Sequence, residues 1–91
     1  MGSFTLNIIT PEKEVLKEAV DFLAVPGKEG ELGITAGHIN FITALTAGEV
    51  KVKQRGGEKT FKINSGFLHV AKEKVVLLAK GLEEGGAEDG N

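Results

Sequence analysis

Apolar and polar residues alternate over several short stretches of the chain, and this alternation predicts β-strands. The apolar residues of segment 4–8 stand at every second position, and Thr10–Pro11 follows and ends the stretch. Segments 50–53 and 61–64 alternate in the same way, and Arg-Gly-Gly at 55–57 between them is typical of a hairpin turn. A period of two residues places apolar side chains on one face of a strand. These segments are therefore predicted to be strands, the second pair forming a hairpin with a basic outer face.

The segment from Glu12 to Ala24 supports two interpretations. Pairs of apolar residues recur every four positions along it, and Thr10–Pro11 would be a fair helix start, which favours a helix. Its second half instead alternates with a period of two, which favours two short strands joined near Lys17–Glu18. Local periodicity alone leaves both interpretations open.

Segments 67–71 and 75–79 predict a second hairpin. The last of them, Val-Val-Leu-Leu-Ala, is apolar on both faces, which is typical of a strand that is central in a sheet or covered. Residues 81–91 contain four glycines and four acidic residues, a composition that cannot form a core. The pattern predicts an all-β domain, a small β-sandwich or barrel of short strands, followed by a disordered tail.

The composition limits the classes of function. A chain of 91 residues with a net charge of −2 is a single domain without the basic field that nucleic acid requires. It has no cysteine, which excludes a disulfide scaffold, a zinc finger and a thiol nucleophile. No apolar run approaches the roughly 18 residues that a membrane-spanning helix needs, so we expect no direct insertion into a membrane.

The segment from Gly27 to Gly48 is the richest in distinctive residues. It contains five glycines and the acids Glu29 and Glu31, followed by an apolar run that starts at 39. Its first glycines follow a GxxGxxG spacing, which is neither the GxGxxG fingerprint nor the GxxxxGK[ST] phosphate loop. Turns between short strands are therefore favoured and no nucleotide site is predicted. The apolar residues at 39–42 are assigned to the core in preference to an interface.

Candidate catalytic and metal-binding residues are few. His38 and His69 are 31 positions apart without a cysteine or a second local ligand, which is no recognised metal spacing. Ser65 has no GxSxG sequence around it. Structural or interface roles are therefore favoured for both histidines, and no catalytic residue, metal or cofactor is predicted.

A set of motifs in fixed order resembles the epsilon subunit of the F-type ATP synthase. The motifs are GELGI at 30–34, GH at 37–38, TAL at 43–45, Gly48, SGFLHV at 65–70 and VVLLA at 75–79, and the likeness covers residues 4–80. The chain departs from the family pattern at Ala36, Ile39–Asn40, Ser65 and His69. The order and spacing of the motifs carry the resemblance, since no single motif is decisive.

The resemblance implies a sandwich of about ten short strands over residues 4–80, in which the ambiguous segment 14–25 forms two strands. It also implies a non-catalytic central-stalk subunit of the proton-translocating F-type ATP synthase. Such a subunit docks on the gamma subunit and on the polar loops of the c-ring, and so couples rotation to ATP synthesis. Its place is peripheral, on the cytoplasmic face of the bacterial inner membrane or the equivalent face of an organelle membrane.

Site residues follow from the resemblance position by position. The residues expected to meet the c-ring are Glu29, Gly30, Glu31 and Leu32. Those expected to meet the gamma subunit are His38, Phe41, Thr43, Asn64 and His69. Family members commonly continue into a helical hairpin that senses ATP and inhibits hydrolysis, whereas this sequence continues into the acidic tail at 81–91. This chain is therefore expected neither to bind ATP appreciably nor to inhibit hydrolysis.

Two other classes of function remain at this point. A free-standing β-sandwich module could bind a ligand or a peptide at the rim formed by the glycine segment. Its aromatic residues are all Phe, with no Trp or Tyr, which argues against a carbohydrate platform. An enzyme ranks last, because the sequence offers no nucleophile, metal set or paired carboxylates with a pocket.

Overall fold

The computed structural model of the chain describes residues 2–37 and 39–84, and in that part all regular structure is β-strand. The strands are β1 (Phe4–Ile9), β2 (Glu14–Val20), β3 (Phe22–Gly27), β4 (Gly30–Ile34), β5 (Phe41–Leu45), β6 (Gly48–Gln54), β7 (Gly57–Ile63), β8 (Ser65–Val70), β9 (Lys74–Lys80) and β10 (Glu83–Glu84). The predicted all-β class is therefore confirmed.

The strands form one curled sheet that folds over into two layers. Layer one has the order β2-β1-β9-β8-β5, and layer two has the order β4-β3-β6-β7-β10. The layers join where Gly27, at the end of β3, pairs with Leu45 at the end of β5. The amide of Thr46 adds a hydrogen bond of 2.9 Å to the carbonyl of Pro26. Neighbouring strands are antiparallel, except that β1 and β9 run parallel.

The core lies between the layers and is built from alternate residues of each strand. In layer one, Leu6, Leu68 and Leu77 are fully buried, whereas their chain neighbours point outward. Layer two contributes Leu23, Val25, Val50, Val52, Phe61 and Ile63 to the same cluster. A slip of one residue in any strand would exchange its inner and outer side chains, so the burial of this set fixes the register.

The segment with two interpretations forms two strands, and the helix is excluded. The sequence predicted their junction near Lys17–Glu18, which is wrong because β2 continues unbroken to Val20 along β1. The chain turns at Asp21, whose amide donates a hydrogen bond of 2.8 Å to the carbonyl of Lys53 and so starts the pairing with β6. Strand partners on both layers override the local helical periodicity.

The β6–β7 hairpin forms as predicted, with a turn at Arg55–Gly56. Its outer face carries three lysines, but acids stand opposite two of them: Lys53 faces Glu58 and Lys62 faces Glu49, while Lys51 faces Thr60. Opposite charges on directly facing residues stabilise antiparallel pairs. The sequence pattern showed the lysines of each strand but not the cross-strand register that places acids opposite two of them.

The described chain continues past the predicted boundary at Lys80. Leu82 packs against the core, and Glu83 and Glu84 pair with the edge of β7. Residues 85–91 lie outside the described part of the chain, so the disorder expected there stays a prediction.

Three polar side chains link the open edges of the two layers. Glu18, on the edge strand β2, accepts a hydrogen bond of 2.6 Å from the side-chain amide of Gln54. The ammonium of Lys59 lies 3.4 Å from the other oxygen of the same carboxylate. The Gln54 hydrogen bond lowers the pKa of Glu18, burial partly offsets this, and Lys59 lowers it further. The contact crosses from layer one to layer two on the side opposite the fold-over.

We expect the Glu18 contact to make stability depend on pH. The folded protein stabilises the ionised form of Glu18 more than the unfolded chain does, so Glu18 contributes its full stabilisation above the ordinary pKa of 4.5. This stabilisation is lost as the pH falls through the lower pKa that Glu18 has in the folded protein. Both partners are partly exposed, so Glu18→Gln should cost under about 1 kcal/mol at neutral pH. Urea unfolding from neutral to acidic pH should show that the two proteins converge in acid. A constant difference at every pH would contradict the assignment.

Gly66 allows β8 to lie against β9, and its replacement should be costly. A methyl group at this position would collide with the backbone carbonyl oxygen of Leu78. We expect Gly66→Ala to destabilise the fold by about 3 kcal/mol, because backbone must shift to relieve the overlap. Thermal unfolding measures the effect against Gly57→Ala, where an added methyl group meets nothing within 4 Å. Equal melting temperatures for the two variants would refute the close-approach role.

Candidate functional site

The β3–β4 hairpin presents the acidic residues that the sequence singled out. Gly27 pairs with Gly30 across a turn formed by Lys28 and Glu29. A methyl group on Gly27 would lie 2.7 Å from the carbonyl oxygen of Gly30, so the hairpin closes only with glycine there. The first glycines thus form a tight turn between strands, and no helix follows to bind phosphate through its N-terminus.

Packing of Phe22 fixes the direction of the same hairpin. A methyl group on Gly33 would lie 3.2 Å from the Phe22 ring, which therefore lies directly over the β4 backbone. The ammonium of Lys53 lies 5.8 Å from the centre of the ring, at cation–π distance. Phe22 is thus held between β4 and β6, and the second glycine of the GELGI motif is required by packing.

The four residues expected at the c-ring divide between surface and core. Glu29, Gly30 and Glu31 are exposed. Leu32 is half-buried and packs against the core, so it anchors the hairpin and does not extend from it. The hairpin therefore presents two carboxylates from a rigid base.

The residues expected at the gamma subunit do not form one cluster. Phe41 is half-buried against the core, and Thr43 is half-buried in a groove beside the β3–β4 turn. Asn64 is exposed at the junction of β7 and β8, beside Gly81. His69 is exposed on the outward side of β8. His38 lies outside the described residues.

The outward side of layer one, here called the outer face, exposes large apolar side chains. Ile42 is 68% exposed, Phe67 57% and Leu78 47%. Cross-strand pairing aligns Ala44, Phe67, Leu78 and Ile9 in one row and Ile42, His69 and Val76 in the next. The apolar side chains thus extend over four neighbouring strands, β5, β8, β9 and β1.

The outer face meets the acidic hairpin at one corner of the molecule. A shallow groove on the face is lined by Phe67 and Leu78, and Lys28 and Ala44 line its end. The same Lys28 and Ala44 also line the groove that contains Glu29 and Glu31. The apolar and acidic surfaces are therefore continuous.

The sequence indicated part of this surface but not its exposure. Strand β9 is central, between β8 and β1, as its apolar character predicted. No described residue covers its outward side, where Leu78 remains exposed. The assignment of Ile39 and Ile42 to the core is wrong, because both are largely exposed. A patch of this kind on a small domain is typical of a protein interface.

Other classes of site find no support in the described residues. Within 2–37 and 39–84, the side chains of His, Asp and Glu form no cluster of three that could hold a metal ion. In the same residues, no helix has the length and hydropathy needed to cross a bilayer. The outer face and the acidic hairpin are thus the candidate functional site.

Comparison with known proteins identifies similar chains. The family model for the ATP synthase Delta/Epsilon chain, beta-sandwich domain, matches residues 3–85. The ATP synthase epsilon chain of Pelotomaculum thermopropionicum is 44% identical over 80 residues, covering 86% of this chain and 58% of its own length. The sodium ion specific epsilon chain of Propionigenium modestum is 37% identical over 79 residues, covering 87% and 58%. The chain thus spans about three fifths of these relatives.

Solved structures share the fold. A chain in the Euglena gracilis mitochondrial ATP synthase, in a structure of OSCP, F1 and the c-ring, superposes with a TM-score of 0.86 at 24% identity, covering 92% of this chain and 54% of that one. A chain of the central stalk and c-ring of the Tetrahymena thermophila enzyme gives 0.77 at 17% identity, covering 88% and 65%. At these identities the likeness establishes the β-sandwich fold alone.

Proposed function

The chain belongs to the ATP synthase delta/epsilon-chain β-sandwich family, and from this we propose that it is a non-catalytic subunit of the central stalk. In this role it docks on the gamma subunit and on the polar loops of the c-ring, and passes rotation of the ring to the catalytic head. Its position is peripheral, at the membrane face where the head stands.

The corner shared by the outer face and the acidic hairpin carries this proposal. A subunit that bridges two partners needs two surfaces of different chemistry held rigidly together. Here an apolar face suited to a protein partner and a carboxylate turn suited to polar loops meet at Lys28 and Ala44. The core beneath both surfaces keeps their relative position fixed.

The outer face is the surface we assign to the gamma subunit. Its apolar rows supply the centre of the contact, with His69 between Ile42 and Val76. Thr43 lies at the corner. Phe41, Asn64 and His38 were expected at the same interface from the resemblance, and their part in it stays a prediction.

The acidic hairpin is the surface we assign to the c-ring. Glu31 is exposed on β4 and Glu29 in the adjoining turn, and pairing of β3 with β4 positions both. Charges on a hairpin ordered by strand pairing bind with little loss of backbone conformational entropy.

A free-standing ligand-binding module is less well supported. The family to which the chain belongs is that of an ATP synthase subunit. The expectation that this chain does not inhibit ATP hydrolysis stays a prediction.

Replacing outer-face residues should separate binding from folding. We expect Ile42→Thr with Phe67→Ser to change the free energy of unfolding by less than about 1 kcal/mol, because both side chains are largely exposed. The same variant should lose at least tenfold in affinity for purified gamma subunit, since apolar anchors dominate protein interfaces. Calorimetric titration with gamma measures the affinity, and thermal melts measure folding.

The matched control is Leu68→Ser, on the inward side of the same strand as Phe67. It should melt far below the wild type because Leu68 is fully buried. Undiminished gamma binding by the folded double variant would exclude the outer face as the docking surface.

Reversing the charge of Glu31 should weaken coupling and leave the fold intact. An exposed charge contributes under about 1 kcal/mol to folding, whereas a like-charge contact at an interface costs several. We therefore expect Glu31→Lys to reduce proton-driven ATP synthesis in reconstituted vesicles at an unchanged melting temperature. Glu84→Lys, an equal charge change on exposed β10, is the control. If Glu31→Lys lowered the melting temperature by many degrees, Glu31 would be a structural residue and its docking role would lose support.

A further inference from the structure

Lysines surround the apolar rows of the outer face. Lys17, Lys74 and Lys80 are exposed at outward positions of β2 and β9, and Lys28 is exposed at the corner with the acidic hairpin. The cross-strand partner of each of the first three is uncharged: Asn7 for Lys17, Thr5 for Lys74 and Ser65 for Lys80. Among the described residues, none of the four lysines forms an ion pair. One outward acid belongs to the same margin, since Glu14 on β2 stands opposite Ile9. The strands of the outer face thus carry three outward lysines and one outward acid around an apolar centre.

The outward side of layer two has the opposite arrangement. There Lys53 faces Glu58, Lys62 lies between Glu49 and Glu83, and Lys51 faces the uncharged Thr60. A neighbouring opposite charge cancels most of the field of a lysine beyond the pair itself. Outward acids thus offset most of the outward lysines of layer two, whereas on the strands of the outer face one outward acid, Glu14, stands against three outward lysines. The excess of positive charge therefore lies on the outer face, although the net charge of the whole chain is −2.

We propose that the outer face selects a partner surface with an apolar centre and an acidic margin, and that its lysines steer this partner into place. The inference rests on the proposed docking to the gamma subunit and adds the chemistry of the surface that gamma must present. Charges at the margin of an interface act mainly on the rate of association, and the apolar centre acts mainly on the rate of dissociation.

A protein partner fits this surface better than an anionic membrane. Glu29 and Glu31 stand beside Lys28 at the corner, and anionic headgroups would repel them. A protein surface can place carboxylates opposite the lysines and leave the hairpin clear for the c-ring, which a uniform layer of headgroups cannot do.

The test measures association with a catalytic head complex that retains gamma and lacks this subunit. The variant Lys74→Gln with Lys80→Gln removes two outward charges from β9, and the layer-two variant, Lys51→Gln with Lys62→Gln, removes two outward charges from β6 and β7 as the control. Stopped-flow kinetics at salt concentrations from about 0.02 M to about 0.3 M, spanning weak to strong screening, give the rates of association and dissociation.

For the wild type, we expect association to slow about tenfold across this range of salt. The β9 variant should associate several-fold more slowly than wild type at low salt, with a shallower dependence on salt and a dissociation rate within about twofold of wild type. The layer-two variant should follow the wild type. Thermal melts of both variants should match the wild type, since the substituted side chains are exposed.

The outcomes distinguish this inference from the function on which it rests. Absence of binding at every salt concentration would overturn the docking on gamma and, with it, the steering. Tight binding with an association rate independent of salt, or equal slowing of both variants, would overturn the steering alone. Vesicles containing about one third phosphatidylserine provide the competing surface. If the β9 substitutions weakened capture by vesicles and left association with the head complex unchanged, the partner would be a membrane and the inference would be wrong.

Discussion

The pairing of Gly27 with Leu45 is the constraint on which the rest of the structure depends. At this point one curled sheet folds over, and its two halves become layers that share a core. A side chain on Gly27 would collide with the carbonyl oxygen of Gly30 and open the β3–β4 turn. Gly48 lies equally close to Pro26, because a methyl group on Gly48 would lie 2.8 Å from Cβ of the proline. Because the same corner presents the acidic hairpin beside the outer face, the constraint that closes the core also positions the candidate functional site.

The sequence predicted the strands well where one face of the strand is buried, because apolar and polar residues then alternate along the chain. Residues 4–8 and the β6–β7 hairpin follow this rule, and Thr10–Pro11 ends β1 as expected. The segment that became β2 and β3 could not be resolved from its own residues. Its helical spacing is real, but pairing with β1 on one layer and with β6 on the other stabilises extended chain, and neither partner is visible in a local window.

The candidate site was less predictable, because it depends on contacts between residues distant in sequence. The glycines at 33 and 66 could be recognised as motif positions, but the reasons for them are the Phe22 ring and the Leu78 carbonyl on other strands. The exposure of Ile42 follows from its place opposite His69, which turns it away from the core. The resemblance to a family indicated which protein partners to expect. The cross-strand register was needed to show which side chains share a face.

The two outward surfaces differ in their chemistry. On layer two, acids stand opposite Lys53 and Lys62, and a surface on which opposite charges lie side by side gains little by leaving water. On layer one, exposed apolar side chains stand beside lysines that have no acidic neighbour across the strand. Contact with a partner would remove the apolar side chains from water. Carboxylates of the same partner could pair with the lysines. The core between the layers is buried without any contribution from the outer face, so the apolar side chains and lysines of that face remain exposed and available to the partner proposed above.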